Sequence, residues 1–307
     1  MRLTYNLRPD PGISRRGKDI LYIVIAIGCI LIYAPPFCIG GYQNHLYIHG
    51  PKRMYNFQSL AERGKTPLVI LYTLVKPERV HEVVKNRTAL HHATYHGYYV
   101  MARFLIYRGA DVNSVPESGI SPLTACLIGD VSYEKKMRMY RLLTANGAEV
   151  NGHTISAARF NTKILTQLLS DHKDVDLDYP LLSCIMCEPQ TVDLLIEHGA
   201  NVNAQDSSGA TLLIRTLKSA QNNYDLINHI LKKDVDLNIQ DNEGNAVLHY
   251  ASGNCLIHLT ARLISKGANP LIINNEGKTP IDLAKERPEN YTCKGTYKIL
   301  EDAELTR

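Results

Sequence analysis

The chain of 307 residues has no tryptophan, seven cysteines and a formal net charge of only +4. Its basic residues are scattered and form no patch of the kind that meets a phosphate backbone, so nucleic acid is not an expected partner. Seven cysteines over this length are too few for a disulfide-dense scaffold. Also missing are a Gly-x-Ser-x-Gly elbow, a phosphate loop, a dinucleotide fingerprint and a His-Glu-x-x-His zinc motif. What is present is a folding composition, 45% hydrophobic and 21% charged, which calls for a packed core.

One long apolar run stands near the start. From Ile20 to Ala34 the sequence carries no charge, and Pro-Pro-Phe-Cys-Ile-Gly-Gly extends it to Gly41. A spanning helix needs roughly 20 such residues to cross about 30 Å of hydrocarbon, so residues 20–41 are expected to form one transmembrane pass. Arg15, Arg16 and Lys18 precede it, whereas the next basic residues beyond it are Lys52 and Arg53. This asymmetry predicts a cytoplasmic N-terminus and a body on the far side of the membrane, periplasmic in a bacterium. A cleaved signal peptide and a lipidated form are the alternatives. Bulky Ile32 and Tyr33 before Ala34 disfavour cleavage there, and the apolar run continues past Cys29. A buried core helix is the remaining reading.

The rest of the chain repeats itself. Asn86 to Gly119 reads as a turn, a short helix opened by Thr-Ala-Leu-His, a second helix with a Leu/Ile stripe, a Gly-Ala stop and a polar loop. Asn245 to Gly277 repeats that order. Small residues recur at Ala93, Cys126, Ala158, Cys184, Thr216, Ala251 and Ala284, separated by 33, 32, 26, 32, 35 and 33 residues. Stops recur at Gly109-Ala110, Gly147-Ala148, Gly199-Ala200 and Gly267-Ala268. Threonine caps such a first helix, proline suits its first turn, and glycine ends the second. Each pair is too small to bury its own apolar face, so stacking must supply the core.

This pattern resembles the ankyrin repeat, whose unit of about 33 residues carries Thr-Pro-Leu-His-x-Ala. The resemblance covers about Gly64 to Leu305 and predicts an all-α, ankyrin-type helix-pair solenoid of about seven repeats plus a short N-terminal cap, preceded by one transmembrane helix. The expected organisation is a basic segment 1–19, the anchor 20–41, a linker 42–63 and the stack 64–305. Residues 152–209 depart from the pattern, lacking the signature histidine.

Two clusters invite chemistry. Cys184-x-x-Cys187 has the spacing of a thiol-exchange pair, and His92 and His96 have the i, i+4 spacing of helical metal ligands. In the repeat register, however, Cys126 and Cys184 fill the small-residue position, and layers about 8 to 10 Å apart place them too far apart to bridge. The resemblance gives His91 and His249 a hydrogen bond to the turn between repeats. No catalytic residue, metal ligand or cofactor is therefore assigned, and no small-molecule substrate is expected.

The resembling family meets partners with its loop tips and the exposed side of its first helices. Carried over by position, the candidate partner-binding residues are Tyr95, His96, Glu117, Asp206, Gln240, Asp241, Asn242, Glu243, Asn275 and Glu276. With 18 tyrosines, tyrosine is the expected aromatic anchor. The expected function is a membrane-tethered protein-binding module, in a bacterium an immunity or inhibitor protein. An envelope scaffold is the alternative, and a thiol or metal enzyme the third reading.

Overall fold

The computed structural model describes residues 39–42, 45–48, 57–219, 223–286 and 291–305. They fall into two compact units, Met1–Glu149 and Val150–Arg307. In the first, β1 (Ile39–Tyr42) pairs antiparallel with β2 (His45–Ile48), Ile39 opposite Ile48. Helices α1 (Phe57–Glu62) and α2 (Thr66–Val75) follow, then a 3-10 turn over Pro77–His81. Two further pairs complete the unit: α3 (Ala89–Tyr95) with α4 (Tyr99–Tyr107), and α5 (Pro122–Ile128) with α6 (Tyr133–Thr144). First helices pack on first helices, α1 on α3 on α5, and second on second, α2 on α4 on α6.

The second unit continues in pairs. These are α7 (Gly152–Ala157) with α8 (Thr162–Asp171), α9 (Asp178–Leu182) with α10 (Pro189–Glu197), and α11 (Leu212–Lys218) with α12 (Tyr224–Ile230). Then come α13 (Val247–Gly253) with α14 (Ile257–Ser265), and α15 (Pro280–Lys285) with the closing α16 (Tyr291–Leu305). Each unit is thus a stack of helix pairs, as the periodicity requires.

The expected transmembrane helix is not supported. Among the described residues no helix is long and apolar enough to cross a membrane. Residues 39–41, the end of the proposed span, lie in β1, where the backbone is extended and paired with β2. Residues 20–38 lie outside the described residues. The stack also begins earlier than Gly64. Helix α1 already packs on α3, so Gly-Lys-Thr-Pro opens the second helix of a first pair, and the end of the expected linker 42–63 belongs to the stack.

Local chemistry accounts for the helix starts. The side chains of Ser121, Asn151, Asn161 and Asn223 each accept the N–H three residues on at 3.1 Å. Thr88, Thr211 and Thr279 do so at 3.4 Å. The Gly-Ala stops close alike: Ala110, Ala148, Ala200 and Ala268 donate their N–H to the carbonyl five residues back at 2.9 to 3.0 Å. Asn151 caps α7, and Ala158 at the end of that helix is buried. Within each unit the core is built from both helices of the pairs, Leu90, Leu105, Leu123 and Leu143 in the first and Leu181, Leu195, Leu212 and Leu263 in the second.

Candidate functional site

Three loops between a second helix and the next first helix, residues 201–210, 236–245 and 269–278, project as fingers in the second unit. One residue closes each turn. Asp206 Oδ1 accepts from the N–H of Ser208 (2.8 Å) and Ala210 (3.0 Å). Asp241 Oδ1 accepts from Glu243 (3.0 Å) and Asn245 (3.1 Å), and Asn274 Oδ1 from Glu276 and Lys278 (both 3.0 Å). The second carboxylate oxygen ties the finger to the first helix nine residues on. Asp206 meets Arg215; Asp241 accepts from the Tyr250 hydroxyl, with Lys218 Nζ 3.5 Å away.

Electrostatics follow from these bonds. Burial acts against the Asp206 charge, but the Ser208 hydroxyl, the Arg215 guanidinium and the backbone N–H groups outweigh it and hold the carboxyl at about 2. Burial, reinforced by the bond to Asp241, pushes the Tyr250 phenol up to about 12. Its hydroxyl stays a donor.

Side-chain amides join finger to finger. Gln205 Nε2 donates to the carbonyl of Gln240 (3.1 Å) and Gln240 Nε2 to that of Ile273 (3.0 Å). Asn242 Nδ2 reaches Ser207 O (3.0 Å) and Asn275 Nδ2 reaches Asn242 O (2.9 Å). Backbone bonds Asn242 N to Ser208 O and Asn275 N to Glu243 O add 2.9 and 3.0 Å contacts. Asn203 and Asn238 accept the N–H of Asp236 and Asn269 at 2.9 and 2.8 Å. The fingers are therefore one hydrogen-bonded row.

That row sorts the anticipated contact residues. Asp206, Gln240, Asp241, Asn242 and Asn275 commit side-chain atoms to the row or to the first helix behind it, and the Asp241 side chain is only 1% exposed. Glu243 and Glu276 keep side chains 67% and 68% exposed, near Lys218 and Lys278. In the first unit Tyr95 and His96 are half-buried at the end of α3, with ring centroids 5.0 Å apart. The His96 ring stacks on Tyr98, and the Arg87 guanidinium lies over Tyr95 at 5.3 Å. Glu117 is exposed on the finger of residues 111–120.

Behind the finger row lies a pocket of about 190 Å³, lined by Asn245, His249, Tyr250, Gly253, Asn254, Leu283 and Glu286. Of these seven only His249 was singled out in the sequence, for a bond to the turn between repeats, although a signal for others existed. Arg215, Tyr250 and Leu283 stand one residue before Thr216, Ala251 and Ala284 of the repeat, and His92 stands likewise before Ala93.

The groups considered for chemistry are engaged in packing. His91 Nδ1 faces Thr88 N (3.1 Å) and its Nε2 faces the Ile120 carbonyl (2.9 Å); His249 does the same with Ala246 N (3.1 Å) and Lys278 O (3.2 Å). Burial lowers the pKa of both rings, which leaves Nε2 donating to the turn from a neutral imidazole. The buried Cys126 thiol is pushed up to about 12 by desolvation. Cys184 is bonded to Cys187, both buried. A second disulfide, Cys255–Cys293, ties the turn after α13 to α16; nothing in the spacing had paired these two.

The Ankyrin repeat family matches residues 85–115 and 176–207. The putative ankyrin repeat protein FPV034 of Fowlpox virus (strain NVSL) is 38% identical over 116 residues, covering 37% of this chain and 27% of the relative. The putative ankyrin repeat protein L371 of Acanthamoeba polyphaga mimivirus is 27% identical over 218 residues, or 66% of this chain and 27% of the relative. A mouse (Mus musculus) B-cell lymphoma 3 protein homolog is 32% identical over 99 residues, 32% of this chain and 22% of that one. The chain thus spans about a quarter of the length of these relatives. The ankyrin repeat domain of Bcl-3 aligns with a TM-score of 0.44 at 21% identity, covering 80% of this chain and 97% of that one. These relatives are viral and mammalian and lend no support to a bacterial source or an immunity role.

Proposed function

We propose that this chain, which carries ankyrin repeats, is a binding module that holds a protein partner against the finger row of residues 201–278 and does so without catalysis. One observation carries the reading: the amide row fixes three fingers in register before any partner arrives. Ordering loops on association costs about 0.5–1.5 kcal/mol per immobilised side chain, and here intramolecular bonds have already met much of that cost. Glu243 and Glu276 project from this row. Cys184 and Cys187 are joined in a disulfide, His91 and His249 bond to turns, and the Cys126 thiol is buried.

The test is an affinity capture from extract of the source with the full chain, beside a Glu243→Lys/Glu276→Lys variant. Both carboxylates are exposed, so the variant keeps the fold. One dominant partner held by the parent and lost by the variant supports the proposal. Capture of the same proteins by both, or of none, refutes it.

A further inference from the structure

We infer that the pocket behind the last two fingers receives an arginine side chain from an extended basic segment of the protein partner; the inference rests on the binding function proposed above. Its volume of about 190 Å³ falls below the roughly 300–1,000 Å³ of small-molecule sites, and suits one long side chain. The lining also has the right order of chemistry. Gly253 and Leu283 give an apolar floor for a methylene stem. Asn245, Asn254 and Tyr250 place polar groups around it, and Glu286, with a side chain 51% exposed, supplies a carboxylate. A guanidinium is planar and presents several donors at once, which matches a carboxylate and flanking amides better than a lysine ammonium does.

Charge points the same way. The ion pairs around the pocket hold four carboxylates, Asp241, Glu243, Glu276 and Glu286, against two cations, Lys218 and Lys278. Lys218 serves both Asp241 (3.5 Å) and Glu243 (3.8 Å), and Lys278 serves both Glu276 (2.7 Å) and Glu286 (2.6 Å). The excess is two negative charges. His249, at the pocket wall, does not offset it, because burial keeps the ring neutral. An incoming cation completes a sharing arrangement that the chain leaves one-sided.

The experiment selects random peptides displayed on phage against the full chain at low salt, and then measures synthetic copies of the enriched sequences by fluorescence anisotropy. Two variants probe the pocket. Gly253→Leu puts a side chain into it, starting from a Cβ that meets only Leu283, at an ordinary 3.8 Å. Glu286→Lys reverses the charge at its rim. Circular dichroism confirms that both fold. The expected result is enrichment of arginine-bearing peptides whose affinity falls at least tenfold in each variant and on replacing that arginine with alanine. Enriched peptides without a cation, peptides indifferent to both variants, or no enrichment at all would each overturn the inference. Should that occur while the captured partner still depends on Glu243 and Glu276, the arginine pocket fails and the binding function stands.

Discussion

Asp241→Ala separates a residue that holds the fold from one that greets a partner. The carboxylate is 1% exposed and receives four donors: Glu243 N at 3.0 Å, Asn245 N at 3.1 Å, Lys218 Nζ at 3.5 Å and the Tyr250 hydroxyl. A hydrogen bond to a charged group contributes about 1.5–3 kcal/mol. The four share one carboxylate, and the two finger N–H groups regain water once the loop relaxes, so the contributions do not add. We expect a loss of about 3–4 kcal/mol in the full chain, and a melting temperature lower by roughly 10 °C at about 2–4 °C per kcal/mol. Urea denaturation followed by circular dichroism measures it. Glu243→Ala is the paired control, expected within about 0.5 kcal/mol of the parent because its side chain faces solvent. A loss below about 1 kcal/mol for Asp241→Ala, or one no larger than the control's, would refute the assignment of Asp241 to the fold.

Three further outcomes are expected. Asp206, held at about 2 against an ordinary 3.8, contributes stability above the ordinary value and loses it as pH falls toward 2; Asp206→Asn should therefore cost about 2 kcal/mol at pH 7, with the gap narrowing between pH 5 and 2.5. A gap constant with pH contradicts this. The Cys255–Cys293 disulfide closes a separation of 38 residues and Cys184–Cys187 one of 3. Loop-closure entropy then gives about 4 and about 2 kcal/mol, so Cys293→Ala should shift the urea midpoint more than Cys187→Ala, and equal shifts would count against the entropic account. Finally, Gly244 and Gly277 have φ of +77° and +75°, but a Cβ at Gly244 would stand 2.7 Å from Asn275 N whereas one at Gly277 meets nothing within 4 Å. Alanine at Gly277 should cost about 1 kcal/mol and at Gly244 about 2–4 kcal/mol, read from the same denaturation curves.

The helix pairs were legible because their signals are local. A threonine, serine or asparagine caps the helix within three residues, and a Gly-Ala pair ends one within the same turn. The weaker middle region follows the same rule, with Asn151 capping α7 in place of threonine. Gly-Lys-Thr-Pro at Gly64 to Pro67 starts a helix, but the motif does not say which helix of a pair it starts. That depends on α1 lying on α3.

The candidate site was legible only in outline. Loop position marked Asp206 and Asp241 as tips, yet their second oxygens turn inward to Arg215 and Tyr250, nine residues along the chain. An apolar run of sufficient length at residues 20–41 met the hydropathy criterion for a span, although its last three residues pair as a strand. Hydropathy measures what a segment could bury, and backbone pairing decides how it does so.

By itself, then, the sequence determined the period, the capped helix pairs and the family resemblance, since each is written within about 33 residues. Tertiary structure alone decided which finger residues point inward, how Gln205, Gln240, Asn242 and Asn275 link the fingers, which cysteines meet, and where Asn245, Gly253, Leu283 and Glu286 enclose a pocket. The links between fingers and the Cys255–Cys293 bond join residues about one repeat apart, and the stacking of neighbouring pairs brings their atoms within bonding reach.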